Sequence, residues 1–172
     1  MDYLKAYREM AAGGKQFRGL SLLSNAERIG KFIRETGADT VLDYGSGAGD
    51  AYRSPHKVHH TWGIKRPNVA LYDPSFEQYA KKPDRRFDVV ICSDVLEHIP
   101  EPDVNRFIAD LFNHAKLGVW ASVCTRPAKK CFPDGTNLHC TIKPYQWWHD
   151  TFAEVHLLFK AAGIRWELVE TE

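Results

Sequence analysis

Val41-Leu42-Asp43-Tyr44-Gly45-Ser46-Gly47-Ala48-Gly49-Asp50 is a short apolar run that ends in an acid and three glycines on alternating positions. The pattern predicts a strand, Thr40 to Tyr44, emptying into a loop that lets a ligand approach the main chain. Glycine has no Cβ and accepts positive φ, so such a loop can pass close to a ligand that other side chains would hold off. In open α/β folds this place lies at the carboxyl edge of a parallel sheet, where ligands bind.

Two further segments repeat the pattern. Asn68-Val69-Ala70-Leu71-Tyr72-Asp73 is a second apolar run closed by an acid, and a carboxylate can accept two hydroxyls at once, as the vicinal diol of a ribose requires. Phe87-Asp88-Val89-Val90-Ile91-Cys92-Ser93 is a third, running into Asp94-Val95-Leu96-Glu97-His98-Ile99. Three strand ends bearing acids or glycines converge on one crevice. The glycine spacing, G-x-G-x-G with an acid two residues ahead, departs from the G-x-G-x-x-G of nicotinamide-binding domains.

These residues resemble the class I S-adenosylmethionine-dependent methyltransferases. Asp43 to Gly49 is similar to that family's D-x-G-x-G-x-G loop, and Phe87 to Val90 followed by Asp94 to Ile99 is similar to its fourth-strand segment, with Asp73 between them. The resemblance implies a Rossmann-like α/β fold: a mostly parallel sheet with helices on both faces. It also implies S-adenosyl-L-methionine as cofactor. Asp43, Tyr44, Gly45, Ser46, Gly47 and Gly49 would hold or orient its methionine part, Asp73 its ribose, and the backbone at Ser93, Asp94 and Val95 would lie along it. The 74–86 segment is too short for the family's helix, third strand and second helix, so that strand is expected to be missing, the Asp73 strand to lie at an edge, and the adenine contacts to differ.

Charge and composition fit this reading. The 23 basic and 22 acidic residues leave a net charge of +1, without the basic surplus of a general nucleic-acid surface. No apolar run approaches a membrane span and the polar amino terminus lacks a signal-peptide core, so a cytoplasmic protein without membrane partners is expected. The four cysteines lie singly, with no C-x-x-C pair, which favours reduced thiols over a zinc site; no metal is expected. Residues 1–172 are read as a single domain.

Along the chain, Asp2 to Ala12 reads as a short helix within an amino-terminal lid, residues 1–23. Its glycine-rich stretch offers Lys15, or Arg18, as partners for a cofactor carboxylate or as solvated charges. Ser24-Asn25-Ala26-Glu27 reads as a capping box before a helix ended by Gly37. A short helix is expected near Ser75 to Lys81, a longer one over Asp103 to Lys116, and a strand over Gly118 to Val123. Residues 124–143 form a long loop, expected to meet the acceptor. Pro144 opens a helix with Trp148, Phe152, Val155 and Phe159 on one face, stopped by Gly163, and Ile164 to Val169 is the last strand.

Within the 124–143 loop, Arg126 can grip a carboxylate or phosphate bidentately, while Lys129 and Lys130 read as solvated charges before they read as further anchors. His139 can take a proton from an attacking hydroxyl or amine, or simply hold the loop by a hydrogen bond. Glu97 is open between a site role and the start of the next helix, and His56, His59 and His60 read as a connector. The function expected is methyl transfer to an oxygen or nitrogen of a small-molecule acceptor, anionic or nucleotide-like, with Arg126 as anchor and His139 as base. The alternatives are a non-catalytic cofactor-binding or regulatory module and a nicotinamide enzyme. Nucleic acid is demoted as a partner because neither an Asp-Pro-Pro-Tyr-like motif nor a Pro-Cys pair is present.

Overall fold

The structure is a computed structural model and describes residues 2–13, 16–158 and 163–171. Five strands, β1 (Val41–Tyr44), β2 (Val69–Tyr72), β3 (Phe87–Ser93), β4 (Ala115–Cys124) and β5 (Arg165–Thr171), form one sheet in the order β2-β1-β3-β4-β5. Every pairing is parallel. Four helices accompany them: α1 (Tyr3–Ala12), α2 (Ala26–Thr36), α3 (Val104–His114) and α4 (Tyr145–Leu157).

Alternation along the strands divides the core into two layers, because successive side chains leave opposite faces. Val41, Val89, Ile91 and Trp120 pack with Ile29, Phe32 and Ile33 of α2. Leu42, Val90, Cys92, Val119, Ala121 and Val123 pack on the other face with Ile108, Leu111 and Phe112 of α3 and Trp148, Phe152 and Val155 of α4. Both faces are thereby covered, as a parallel sheet requires. Each of these large apolar side chains contributes roughly 1.5–3 kcal/mol by leaving water.

The chain runs from β1 to β2 on one side and then crosses to β3 on the other, which makes the gap between β1 and β3 the switch point of the sheet. Loops leaving adjacent strands in opposite directions open a crevice there. Among the described residues, 74–86 holds a 3-10 turn, Glu77–Tyr79, and no strand, so β2 is an edge strand as the sequence led us to expect. The helix expected over Ser75 to Lys81 is only that turn, since Asp73 and Ser75 are drawn into a local turn by the Asp73 side chain, which accepts from the Ser75 amide.

Other boundaries differ from the sequence reading. Ser24 Oγ donates to the Ser21 carbonyl, and α2 starts at Ala26 without a side-chain cap, so the capping box does not form. Gly37 does end α2, at φ 66°. β4 begins at Ala115, because Ala115 pairs with Phe87 and its carbonyl accepts from Arg86. That captures residues whose composition suits a helix. α4 ends at Leu157, before Gly163, and Phe159 lies outside the described residues.

Candidate active site

The strand ends open onto a cavity of about 1120 Å³. Its wall includes Tyr44, Gly45 and Gly47 at the end of β1, Asp73 after β2, and Ser93, Asp94 and Val95 at the end of β3, together with Tyr7 of α1, His98 and His139. Asp43, Ser46 and Gly49, expected at the cofactor, do not line it. Asp43 is buried and accepts from Tyr52 Oη at 2.8 Å; burial, with Asp73 nearby, pushes its carboxyl up to about 7. Ser46 is buried, and a Cβ on Gly49 would come 2.8 Å from Leu71 Cδ1. Lys15 lies outside the described residues, and Arg18 is turned to Asp50 at 2.7 Å.

The glycine loop contacts protein as closely as it could contact a ligand. Its amides are already engaged: Gly45 and Ser46 donate to the Tyr72 carbonyl, Gly47 to Asp73 Oδ2, Ala48 to the Phe17 carbonyl and Gly49 to the Ser46 carbonyl. Gly47 has φ 57°, and a Cβ there would sit 2.2 Å from the Phe17 carbonyl oxygen. The sequence reading assigned that space to a ligand; at this position the amino-terminal segment occupies it. Gly45 faces the Val95 side chain, 2.3 Å from where its Cβ would be.

Asp73 keeps capacity for a ligand. Oδ2 accepts from the Gly47 amide and Oδ1 from the Ser75 amide, both at 2.8 Å. Each carboxylate oxygen has a further lone pair, enough for a diol. Burial holds its carboxyl above the usual value, a cost that hydrogen bonds from a ligand would offset.

Asp94 adopts φ 54° at the turn after β3. Non-glycine residues rarely hold that conformation without support. Here Oδ1 accepts from Ser122 Oγ at 2.8 Å and Thr171 Oγ1 at 2.9 Å, which ties the turn to β4 and β5. Glu97 lies three residues on and is buried; its Oε1 accepts from the Cys124 amide, while Oε2 is buried without a partner. Burial first, then the charge of Asp94, pushes the Glu97 carboxyl up to about 8.

His98 and His139 meet edge to face, ring centres 4.9 Å apart. His98 Nδ1 lies 3.0 Å from the Leu138 carbonyl and from Tyr7 Oη, and Tyr7 Oη itself donates to that carbonyl at 2.6 Å. His139 Nδ1 contacts the Arg126 carbonyl at 2.5 Å. Each Nδ1 therefore carries the proton, donated to a carbonyl, and each neutral ring keeps its lone pair on Nε2. Burial, then proximity to His139, holds His98 down at about 4. One potential ligand atom from each of Glu97, His98 and His139 lies within 4.8 Å of the other two. The sequence reading named His139 but no metal, and left Glu97 and His98 open; their meeting depends on a 124–143 loop that carries no periodic signal.

Arg126 does not line the cavity. Its side chain is exposed, and its carbonyl rather than its guanidinium faces the site. Arg106 and Lys82 are the cations on the wall, Lys82 being ion-paired with Asp110. The lid enters through α1: Arg8 Nε donates to the Pro74 carbonyl at 2.9 Å, and Tyr7 packs on Phe17, His98 and Phe132.

An all-parallel sheet, a switch-point crevice and an acid at the end of the second strand define a Rossmann-like α/β protein built for a nucleoside-bearing ligand. The chain belongs to the methyltransferase domain family, whose model matches residues 10–171, and so to the class I S-adenosylmethionine-dependent methyltransferases. Members of this family take S-adenosylmethionine as methyl donor. The chain is similar to the ubiquinone biosynthesis O-methyltransferase of Pseudoalteromonas translucida (strain TAC 125), 32% identical over 93 residues, which is 46% of this chain and 39% of that relative. No solved structure gives a significant match. Among the described residues no helix is long and apolar enough to cross a membrane.

Proposed function

We propose that the protein transfers the methyl group of S-adenosylmethionine to an oxygen of a small acceptor. The observation that supports this reading is the shared cavity, whose wall carries Gly45, Gly47, Asp73 and the Ser93-Asp94-Val95 turn together with Tyr7, His98 and His139. Asp73 would hold the ribose hydroxyls, and the glycine loop and the turn after β3 would flank the methionine part. The bound cofactor supplies an electrophilic methyl on a sulfonium.

This chain's residues align the acceptor, exclude water and take up its proton. His98 is neutral near pH 7 and can present an Nε2 lone pair to the cavity, its Nδ1–H being donated to the Leu138 carbonyl. Oxygen is preferred to nitrogen as the receiving atom because the relative from Pseudoalteromonas translucida is an O-methyltransferase. For an anionic acceptor, Arg106 at the exposed rim is the better placed anchor. The protein is read as acting on a small molecule rather than nucleic acid, and in the cytoplasm.

The test is calorimetric titration with S-adenosylmethionine, S-adenosylhomocysteine and NAD, followed by a transfer screen over hydroxyl and amine acceptors. Micromolar binding of the two S-adenosyl ligands with transfer to a hydroxyl is expected. Binding without transfer to any acceptor would leave a cofactor-binding module, and preference for NAD would overturn the reading.

A further inference from the structure

We propose that Glu97, His98 and His139 form a binding site for a divalent first-row transition-metal ion in the wall of the cavity, with the unpartnered Glu97 Oε2 as its carboxylate ligand. Three observations carry it independently of the cofactor. Donor atoms from the three residues lie within 4.8 Å of one another. Glu97 is 1% exposed, and its Oε2 is buried without a hydrogen-bond partner in a residue that lines the cavity. A buried polar atom of this kind ordinarily has a partner, and a cation would be one.

The third observation is the state of the histidines. Both donate Nδ1–H to a backbone carbonyl, Leu138 for His98 and Arg126 for His139. Metal-ligating histidines are oriented in this way, the second nitrogen fixed by a carbonyl or carboxylate so that the first presents its lone pair. Charge points the same way: Asp94 and Glu97 both line this wall, and among the described residues neither is ion-paired.

Two imidazoles and one carboxylate are the donor set of open catalytic sites, which leave positions free for substrate and favour zinc, iron, cobalt or manganese over calcium. Resting on the methyl-transfer reading, the site gives the acceptor class: a hydroxyl compound whose oxygen binds the ion. Coordination lowers the hydroxyl's pKa so that its proton passes to solvent. The oxygen lone pair then bonds to the methyl carbon as the carbon–sulfur bond breaks, and that bond's electron pair stays on the sulfur of S-adenosylhomocysteine.

Chelator-treated protein is titrated with Co²⁺ and followed by visible absorption, alongside His139→Ala and Glu97→Gln. Wild type is expected to take up one equivalent with bands of a nitrogen- and oxygen-ligated ion, and each variant to bind at least tenfold more weakly. Glu97→Gln keeps an acceptor for the Cys124 amide, and His139 is only half-buried, so at least the latter variant will fold. S-adenosylhomocysteine affinity, measured without metal, is expected to be unchanged in His139→Ala. Loss of S-adenosylhomocysteine binding by wild type with Co²⁺ uptake intact would sink the methyltransferase reading and leave the metal site standing. No Co²⁺ uptake by wild type at millimolar metal, or equal uptake by His139→Ala, overturns the site.

Discussion

The carbonyl of Phe17 accepts a hydrogen bond from the amide of Ala48 at 2.8 Å, and the neighbouring Arg18 carbonyl accepts from Asp50 at 3.1 Å. Two backbone bonds thus fasten the amino-terminal segment to the glycine loop. The fit is tight from both sides, since a Cβ on Gly19 would come 2.1 Å from the Ser46 carbonyl oxygen.

Gly47→Ala should therefore damage both stability and binding. Left-handed backbone costs an alanine about 1–2 kcal/mol, and the added methyl must also displace the Phe17 carbonyl. Denaturant unfolding should show at least that loss, and S-adenosylhomocysteine affinity should fall with it. A variant as stable as wild type would mean that the segment is not held against the loop.

Asp73→Ala removes the ribose acceptor and the partner of the Gly47 and Ser75 amides. Charge-assisted hydrogen bonds contribute about 1.5–3 kcal/mol, so S-adenosylmethionine and S-adenosylhomocysteine should both bind roughly 10- to 100-fold more weakly. Unchanged calorimetric affinity would remove Asp73 from the site.

Asp43 gives a pH signature. Its carboxyl, ordinarily near 3.8, is pushed up to about 7 by burial, so the native state favours the protonated form. The stability this group contributes is complete below its ordinary value and declines as pH rises through about 7. Asp43→Asn cannot ionise. Its melting temperature relative to wild type should therefore increase between pH 5 and pH 8; a gap that is constant or shrinks over that range would contradict the buried acid.

Arg126 and Arg106 can be separated by kinetics. Because the Arg126 side chain lies off the cavity while Arg106 is on its wall, Arg126→Ala should leave KM for an anionic acceptor near the wild-type value. Arg106→Ala should raise KM several-fold with little change in kcat, as expected when an interaction common to ground and transition states is lost. The opposite pattern would restore Arg126 as the anchor.

The sheet was legible because each of its first three strands is a dense apolar run closed by a polar turn, and burial on both faces demands such runs. The missing strand was legible from chain length, as the 74–86 segment has no room for a strand with a helix on each side of it. Local signals that depend on a single hydrogen bond misled: Ser24 had the right spacing for a cap, yet its hydroxyl turned back to Ser21. The site was half legible. Asp73, Gly45 and Asp94 announce themselves at strand ends, whereas the meeting of His98 with His139 is made by a loop whose course depends on Asn137 bonding Ala128 at both its amide and carbonyl. Arg126 was misplaced for the same reason, because nearness to a strand end in sequence does not fix which way a loop residue turns.

The sheet order has a consequence for association. Its two margins, β2 and β5, are the places where another chain could add a strand, and they are guarded differently. β2 is four residues long and is followed directly by Asp73 and Pro74, so an added strand would find few amides and carbonyls to pair with. β5 is seven residues long, but Arg165 and Glu167 on it are already bound to Glu35 and Arg28 of α2. Growth from that margin would bring a new strand alongside a row of paired charges, which disfavours lateral aggregation, and the Leu168 carbonyl of β5 already accepts from Tyr145 Oη of α4.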